Sequence, residues 1–414
     1  MKNIIKKIKK YLPKFLIVFI YFSYEKFHKF QSIKKIKKEG VDINLNKKIN
    51  NYNKKRVLVY HKNGLSFGGT EKFLQIIAKY LPKDKFEIFF MASWDDKDKT
   101  RKSYLENEGI KLINFKYSFV ENKFPYFIHE QKPDTFSVIR DHNIDIILSG
   151  GAGYSEYPLN LIKNIPIILI GVFGYAVIQK NIKLQVYISK EVGDMVKKIT
   201  YGKTCLLPIL SEDPKDKYID SGSTLRNILV IPNDYTVFGR IGRDDNGIFD
   251  SIGIEAFKKL LLDFNDVAYL IMSPPPALRD MVAKENIKNV YFLESSSSEH
   301  DIWSFHNAID VLAHFRKDGE SQGLNIVESM LCAKPIITHK SRIWNAHLEY
   351  LDESFCRIAN IDDVEAYYNF MKEMVLLKKD GKLEEMGLKA RKKAESIFLI
   401  KNRLPEIINW FENI

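Results

Sequence analysis

From Arg56 onward the chain alternates short apolar runs with stretches whose apolar positions recur at a helical period. "VLVYH" (Val57–His61) is rich in β-formers, and "NGLSFGGTE" follows it as a glycine loop. "KFLQIIAKYL" then places Phe73, Ile76, Ile77 and Tyr80 on one helical face. Further strands are expected at 86–93, 110–115, 144–150, 166–174 and 184–189. They are almost continuously apolar, as in a parallel sheet covered on both faces. A polar stretch rich in Pro, Gly, Ser, Asp and Lys, Ser211–Thr224, interrupts the alternation and reads as a linker. Strands resume at 235–242, 267–273, 289–294, 309–315 and 334–339, and the chain ends in three helical segments, "VEAYYNFMKEMVLL", "KLEEMGLKARKKAESIF" and "LPEIINWFENI". The pattern predicts an α/β fold of two doubly wound, Rossmann-like domains. At 414 residues the chain is also too long for one ordinary core. The expected division is an arm at 1–56, domains at 57–215 and 216–395, and a C-terminal helix at 396–414. In such a fold a ligand sits at the carboxyl ends of the strands, here in the cleft between the domains.

Charge changes the picture at one end only. Residues 1–56 hold 17 Lys or Arg against 3 Asp or Glu, whereas the remainder holds 47 against 49. The net charge of +12 therefore belongs to the arm, and the body is close to neutral. That argues against a nucleic-acid enzyme with a basic groove through its core. The arm carries an uncharged core, Phe15–Tyr24, between lysine clusters. This core is too short for a bilayer span, which takes about 20 residues, and Glu25-Lys26-Phe27-His28 follows it where a cleavable leader would have small residues. Aromatic and aliphatic residues flanked by lysine fit the interface of an anionic membrane, so residues 1–50 are expected to hold the protein at a membrane surface. The alternative is a solvated basic tail with a short apolar patch. The three cysteines, Cys205, Cys332 and Cys356, form no metal or disulfide spacing, which fits a reducing, cytosolic setting.

The candidate chemistry lies in "RKDGESQGLNIVESMLC" (Arg316–Cys332), a turn followed by a helix. Gly319 and Gly323 let backbone N–H groups approach a ligand, and the helix start suits a phosphate. Glu328 shares a helical face with Leu324, Leu331 and Cys332. A carboxylate there needs donors. Two sources fit: the hydroxyls of a ribose, or a structural Arg or Lys. Leu324 and Glu328 are separated by roughly 6 Å of helix, at about 1.5 Å per residue, close to the span from a diphosphate to its ribose. Glu320, at the tip, would face whatever the diphosphate carries.

"GESQGLNIVESMLCAKPIITH" resembles the E-x7-E element of retaining glycosyltransferases of the GT-B fold, of the group 1 or family-4 kind. "GGTEKFLQIIAKYL" is similar to that family's glycine loop and first helix, and "VFGRIGRDDNGIFDSIGIEAFKKL" to the start of its second domain. The resemblance covers about residues 56–400, weakly in the first domain. It implies two Rossmann-like domains facing each other across a cleft, C-terminal helices packing back, and transfer of a sugar, of the hexosyl kind, from a nucleotide-diphosphate sugar. The acceptor it implies is a lipid-linked or glycan molecule of cell-surface polysaccharide or glycolipid synthesis. By the same resemblance Glu328 binds the donor ribose, Glu320 contacts the sugar, and the N–H groups of Gln322, Gly323 and Leu324 contact the diphosphate. Arg240 matches the family's phosphate-binding arginine, and Gly68 and Gly69 belong to the donor-side loop. No cofactor and no metal are implied.

The sequence departs from the family in three places. Asn246-Gly247 stands where the family has Lys-Gly, leaving Arg243 as the candidate second cation. Ser149-Gly150-Gly151 stands where the family often has a histidine, so no side chain there can act as a base. "HKSRIWNAHLE" (His339–Glu349) replaces the family's last glycine-rich loop. The acidic pairs Asp95-Asp96 and Asp244-Asp245 are expected to be solvated rather than metal ligands, and His314 to be a satisfied core residue. His61 ends the first strand near the cleft and fits either role. Rival readings are an inverting GT-B transferase, a nucleotide-sugar epimerase and a non-enzymatic nucleic-acid binder acting through the arm. A nicotinamide enzyme is disfavoured, because "NGLSFGG" lacks the GxGxxG spacing.

Overall fold

A computed structural model describes residues 40–45, 53–62, 64–65, 68–95, 99–123, 126–151, 156–174, 179–196, 202–214, 218 and 220–414. The apolar core of the arm, Phe15–Tyr24, and part of the linker lie outside the described residues. No described helix is long and apolar enough to cross a membrane.

The first half builds strands β1 (Lys55–His61), β2 (Phe86–Ala92) and β3 (Lys111–Asn114), a hairpin of β4 (Lys116–Lys123) and β5 (Tyr126–Lys132), then β6 (Ile146–Gly151), β7 (Ile167–Gly171), β8 (Ile182–Tyr187) and β9 (Lys203–Leu206). Seven of them form one parallel sheet in the order β3-β2-β1-β6-β7-β8-β9. Helices α1 (Gly69–Tyr80), α2 (Lys99–Glu106), α3 (Thr135–Asp141) and α4 (Lys190–Val196) join and cover it. The apolar runs are inner strands for a physical reason: Val57, Leu58 and Val59 on β1 and Ile146, Ile147 and Leu148 on β6 are all fully buried, so both sheet faces are covered. The helical face read on α1 holds for Phe73, Ile76 and Ile77; Tyr80, at the helix end, is partly exposed.

The second half builds β10 (Thr236–Ile241), β11 (Val267–Met272), β12 (Val290–Leu293), β13 (Val311–Ala313), β14 (Gly319–Glu320), β15 (Ile336–His339), β16 (Trp344–Asn345) and β17 (Cys356–Ala359). Six pair in parallel in the order β12-β11-β10-β13-β15-β17, the doubly wound order with one reversal between β10 and β13. The helices here are α5 (Ser221–Ile228), α6 (Ile252–Asp263), α7 (Pro276–Lys284), α8 (Glu299–Ala308), α9 (Leu324–Leu331), α10 (Val364–Lys379) and α11 (Leu383–Phe398).

The last helix, α12 (Ile400–Asn413), returns to the first sheet. Ile400, Ile407, Trp410 and Phe411 join that sheet's core, with Phe411 set edge-on to Phe86 at 5.8 Å. The chain thus crosses between the halves twice, side by side. Ser211 N–H donates to the Phe398 carbonyl at 2.8 Å, and Ile400 N–H donates to the Ser211 carbonyl at 3.1 Å. Strands β9 and β17 and the β4–β5 hairpin were not legible in the pattern. β9 and β17 are four-residue edge strands with mixed polarity, too short to give a period.

Candidate active site

The two reversals of strand order, between β1 and β6 and between β10 and β13, line one cleft of about 430 Å³. Open α/β sheets bind ligands at such reversals. His61 ends β1, Gly150 and Gly151 end β6, Arg240 and Ile241 end β10, and His314 follows β13; all six line the cleft. Every residue given a catalytic or donor-binding role from sequence does so too: Gly68, Gly69, Arg240, Arg243, Glu320, Gln322, Gly323, Leu324 and Glu328.

The turn between β13 and α9 is shaped by two glycines in the left-handed region, Gly319 at φ 69° and Gly323 at φ 87°. A Cβ at Gly319 would collide with the Trp344 carbonyl. Gly323 caps α9, whose first N–H groups, on Leu324 and Asn325, have no intrahelical acceptor. Tyr350 supports the turn from below by donating its hydroxyl to the Gln322 carbonyl at 2.6 Å. The Gln322 side chain is committed elsewhere: it exchanges two hydrogen bonds with the Ile209 backbone, at 2.5 and 2.9 Å, clamping the turn to the first half of the molecule.

Glu320 is held by three basic groups. His314 Nε2 lies 3.3 Å and Arg316 Nη1 3.7 Å from its Oε1. Burial works to raise the Glu320 pKa, but Arg316, His314 and His347 outweigh it and hold the carboxyl at about 2. His314, expected to be a satisfied core residue, is buried, and it also lines the cleft against Glu320. It follows the last residue of β13, where side chains turn into the cleft.

Arg240 is 1% exposed. Its guanidinium lies 5.2 Å from the Phe315 ring, and its one recorded hydrogen bond is a long one, from Nη1 to the Ser273 carbonyl at 3.4 Å. Nε has no partner, and no carboxylate among the described residues pairs with it. Burial lowers its pKa to about 10, so it stays a cation at neutral pH. A buried cation without a counter-ion is costly; an anion in the cleft would supply one.

Arg243 is exposed at the cleft edge. Asn246 does not line the cleft. Its Oδ1 accepts the Ala277 N–H at 2.9 Å, and Asp245 Oδ1 accepts the Gly247 N–H at 2.7 Å, so both side chains tie down the turn after β10. Among the described residues no group of three or more His, Cys, Asp or Glu is placed to hold a metal ion. Gly150 leaves room for α1, because a Cβ there would meet the Thr70 methyl at 2.7 Å.

Glu328 is 5% exposed. The protein itself supplies Lys72, whose ammonium donates to Oε1 at 2.6 Å, and His306, whose Nε2 lies 3.4 Å from Oε2. Of the two sources of donors weighed for it from the sequence, the structural lysine is therefore present. Burial works to raise its pKa, but Lys72 and His306 overcome that and hold it at about 2. Lys72, Arg101, Glu299, His306, His314 and Arg316 were missed as site residues. One signal for Lys72 was available: it stands in the first turns of a helix, where the dipole disfavours a cation.

Two facing Rossmann-like domains with this cleft between them define the GT-B fold. Residues 224–350 match the family described as Glycosyl transferases group 1, and the chain is a glycosyltransferase. None of the curated proteins matches the sequence. Among solved structures the chain is similar to a glycosyltransferase from Rickettsia africae ESF-5, at 14% identity and TM-score 0.65, covering 87% of this chain and 99% of that one. It is similar to HepE of Anabaena in complex with UDP and glucose, at 16% identity and TM-score 0.65, covering 87% and 100%. Sucrose-phosphate synthase of Thermosynechococcus elongatus aligns at 13% identity and TM-score 0.61, covering 87% and 98%.

Proposed function

We propose that this protein transfers a hexosyl group from a nucleotide-diphosphate sugar to a lipid-linked or glycan acceptor, with retention, as a family-4 enzyme of cell-surface polysaccharide or glycolipid synthesis. The observation that carries the reading is Arg240, a buried cation that no carboxylate among the described residues pairs with, set in the cleft with the start of α9 and with Glu320 and Glu328. In this reading the diphosphate lies against Arg240, Arg243 and the N–H groups of Gln322, Gly323 and Leu324, with Gly68 and Gly69 closing over it. Glu328 takes the ribose hydroxyls and Glu320 the sugar. As the bond to the anomeric carbon breaks, negative charge grows on the leaving diphosphate, and fixed donors aimed there lower the barrier. A displacement on one face needs no protein base, because the leaving phosphate oxygen accepts the acceptor's proton. Neither a metal nor a cofactor has a part in it. HepE of Anabaena, solved with UDP and with UDP-glucose, supports a nucleotide-sugar donor for a cleft of this shape.

Residues 1–50 complete the proposal by holding the enzyme at the inner, anionic face of the membrane, where a lipid-linked acceptor is confined. Each lysine near such a surface contributes about 1 kcal/mol. The full chain should co-sediment with anionic liposomes and be partly released by high salt, whereas a chain starting near Asn51 should stay in solution. Full-length protein that stays in the supernatant at low salt removes the membrane role. The donor is tested by thermal shift across UDP-, GDP- and ADP-sugars, and retention by the anomeric configuration of the product. An inverted product, or no stabilisation by any nucleotide sugar, overturns the reading.

A further inference from the structure

Across the cleft, two cations from the first half meet two carboxylates from the second. Lys72 on α1 is 7% exposed; its ammonium lies 2.6 Å from Glu328 Oε1 and 3.2 Å from Glu299 Oε1, and 5.1 Å from the centre of the Trp303 ring. Trp303 Nε1–H donates to Glu299 Oε2 at 2.8 Å, and Arg101 Nη1 pairs with Glu299 Oε1 at 2.7 Å. Lys72 is thereby fixed on three sides. Glu328 is not used up by its partners. An ionised carboxylate has about four acceptor sites, and the protein places one group on each oxygen, Lys72 on Oε1 and His306 near Oε2. Glu328 also lines the cleft.

We propose that Lys72 is a positioning residue for the donor nucleotide: it reaches from the first domain to hold Glu328 ionised and aimed at the ribose, so that nucleotide binding and closure of the cleft are coupled. This rests on the reading of Glu328 as the ribose ligand. A carboxylate held ionised accepts stronger hydrogen bonds from hydroxyls than a neutral carboxyl does. Burial alone would pull the lysine's pKa down, but Glu328 and Glu299 hold it above its ordinary range, so the charge persists. The contact also spans the two halves, so α1 and α9 approach when the site is whole. At the same place Gly69 meets the Leu324 side chain, a Cβ there lying 3.6 Å from Leu324 Cβ. A second-domain site alone would lack this support.

The test uses the full chain and whichever of UDP, GDP or ADP binds the wild type most tightly. Calorimetry should show Lys72→Met binding that nucleotide about tenfold more weakly, the cost of a lost charged contact, with a smaller fall in turnover at saturating donor. Lys72→Arg should restore most of the affinity. The double variant Lys72→Met with Glu328→Gln should bind no more weakly than Glu328→Gln alone, because the two act through one contact. If Lys72→Met fails to fold, Lys72→Gln, which keeps a donor without the charge, reads the same quantity. Wild-type affinity in the folded lysine variants, beside a weakened Glu328→Gln, overturns the role of Lys72 and spares the ribose reading. Wild-type affinity in Glu328→Gln overturns the ribose reading itself.

Discussion

The two walls of the cleft are built in different ways. The second-domain wall is local. Glu320, Gln322, Gly323, Leu324 and Glu328 come from one turn and one helix, and Arg240 stands at the end of the neighbouring strand in the sheet. The first-domain wall is dispersed: His61, Gly69 with Lys72, Arg101 and Gly150 come from four elements, β1, α1, α2 and β6, and meet only in the folded protein. The local wall keeps its geometry through its own turn glycines. The dispersed wall is held by contacts that cross the cleft. Gln322 grips Ile209, and Glu349 accepts the Lys190 and Glu191 N–H groups at 2.9 and 2.7 Å, capping α4 from the opposite domain. A change in the local wall should therefore touch chemistry and donor binding directly, and a change in the dispersed wall should act through closure.

The comparison breaks most visibly at Arg240. Arg240→Ala should lower turnover by about 10²–10³-fold, as loss of one fixed donor to a developing charge does, while circular dichroism shows a folded chain. Turnover close to wild type would place the diphosphate elsewhere. Glu320→Ala should come next, reducing kcat with donor KM little changed, as measured by initial rates of sugar transfer; a rise in KM alone would make Glu320 a binding group only. Arg243→Ala should reduce turnover less than Arg240→Ala, since its side chain is exposed and screened by solvent. If it behaves as wild type, the cation missing at Asn246 has not been replaced from Arg243. Activity should survive EDTA, and loss on chelation restored by Mn²⁺ or Mg²⁺ would contradict the metal-free reading.

The smallest effect is on stability against pH. Glu320 and Glu328 have pKa values depressed from 4.5 to about 2 in the folded chain. Their contribution is fully present above about pH 4.5 and is lost as pH falls toward 2. Glu328→Gln should remove part of that slope from the acid-unfolding curve. An unchanged curve would mean that Lys72 and His306 leave the Glu328 carboxyl near its ordinary value.

What the sequence revealed follows the same division. The E-x7-E stretch could be read because its turn, helix and carboxylates lie in one short segment with a helical period, and Arg240 because the stretch around it resembles the start of the family's second domain. The pattern also located eleven strands of the two sheets, since an apolar run is dictated by burial on both faces. Lys72 was passed over because its partner, Glu328, is 256 residues away. His314 was read as core because it falls inside the apolar run 309–315. Only the fold shows that it follows the strand's end and meets Glu320. Strands β9 and β17 carried no period, so neighbours in the sheet, rather than their own residues, define them.

The central claim is that the local wall binds the nucleotide of the donor, with Glu328 on its ribose. Titration calorimetry of UDP, GDP and ADP against the full-length wild type and Glu328→Gln tests it most directly. The account predicts that one nucleotide binds the wild type and that Glu328→Gln binds it about 1.5–3 kcal/mol more weakly, the worth of a hydrogen bond to a charged group. Equal affinity of the two proteins for that nucleotide, or no binding of any nucleotide to a folded wild type, would contradict it.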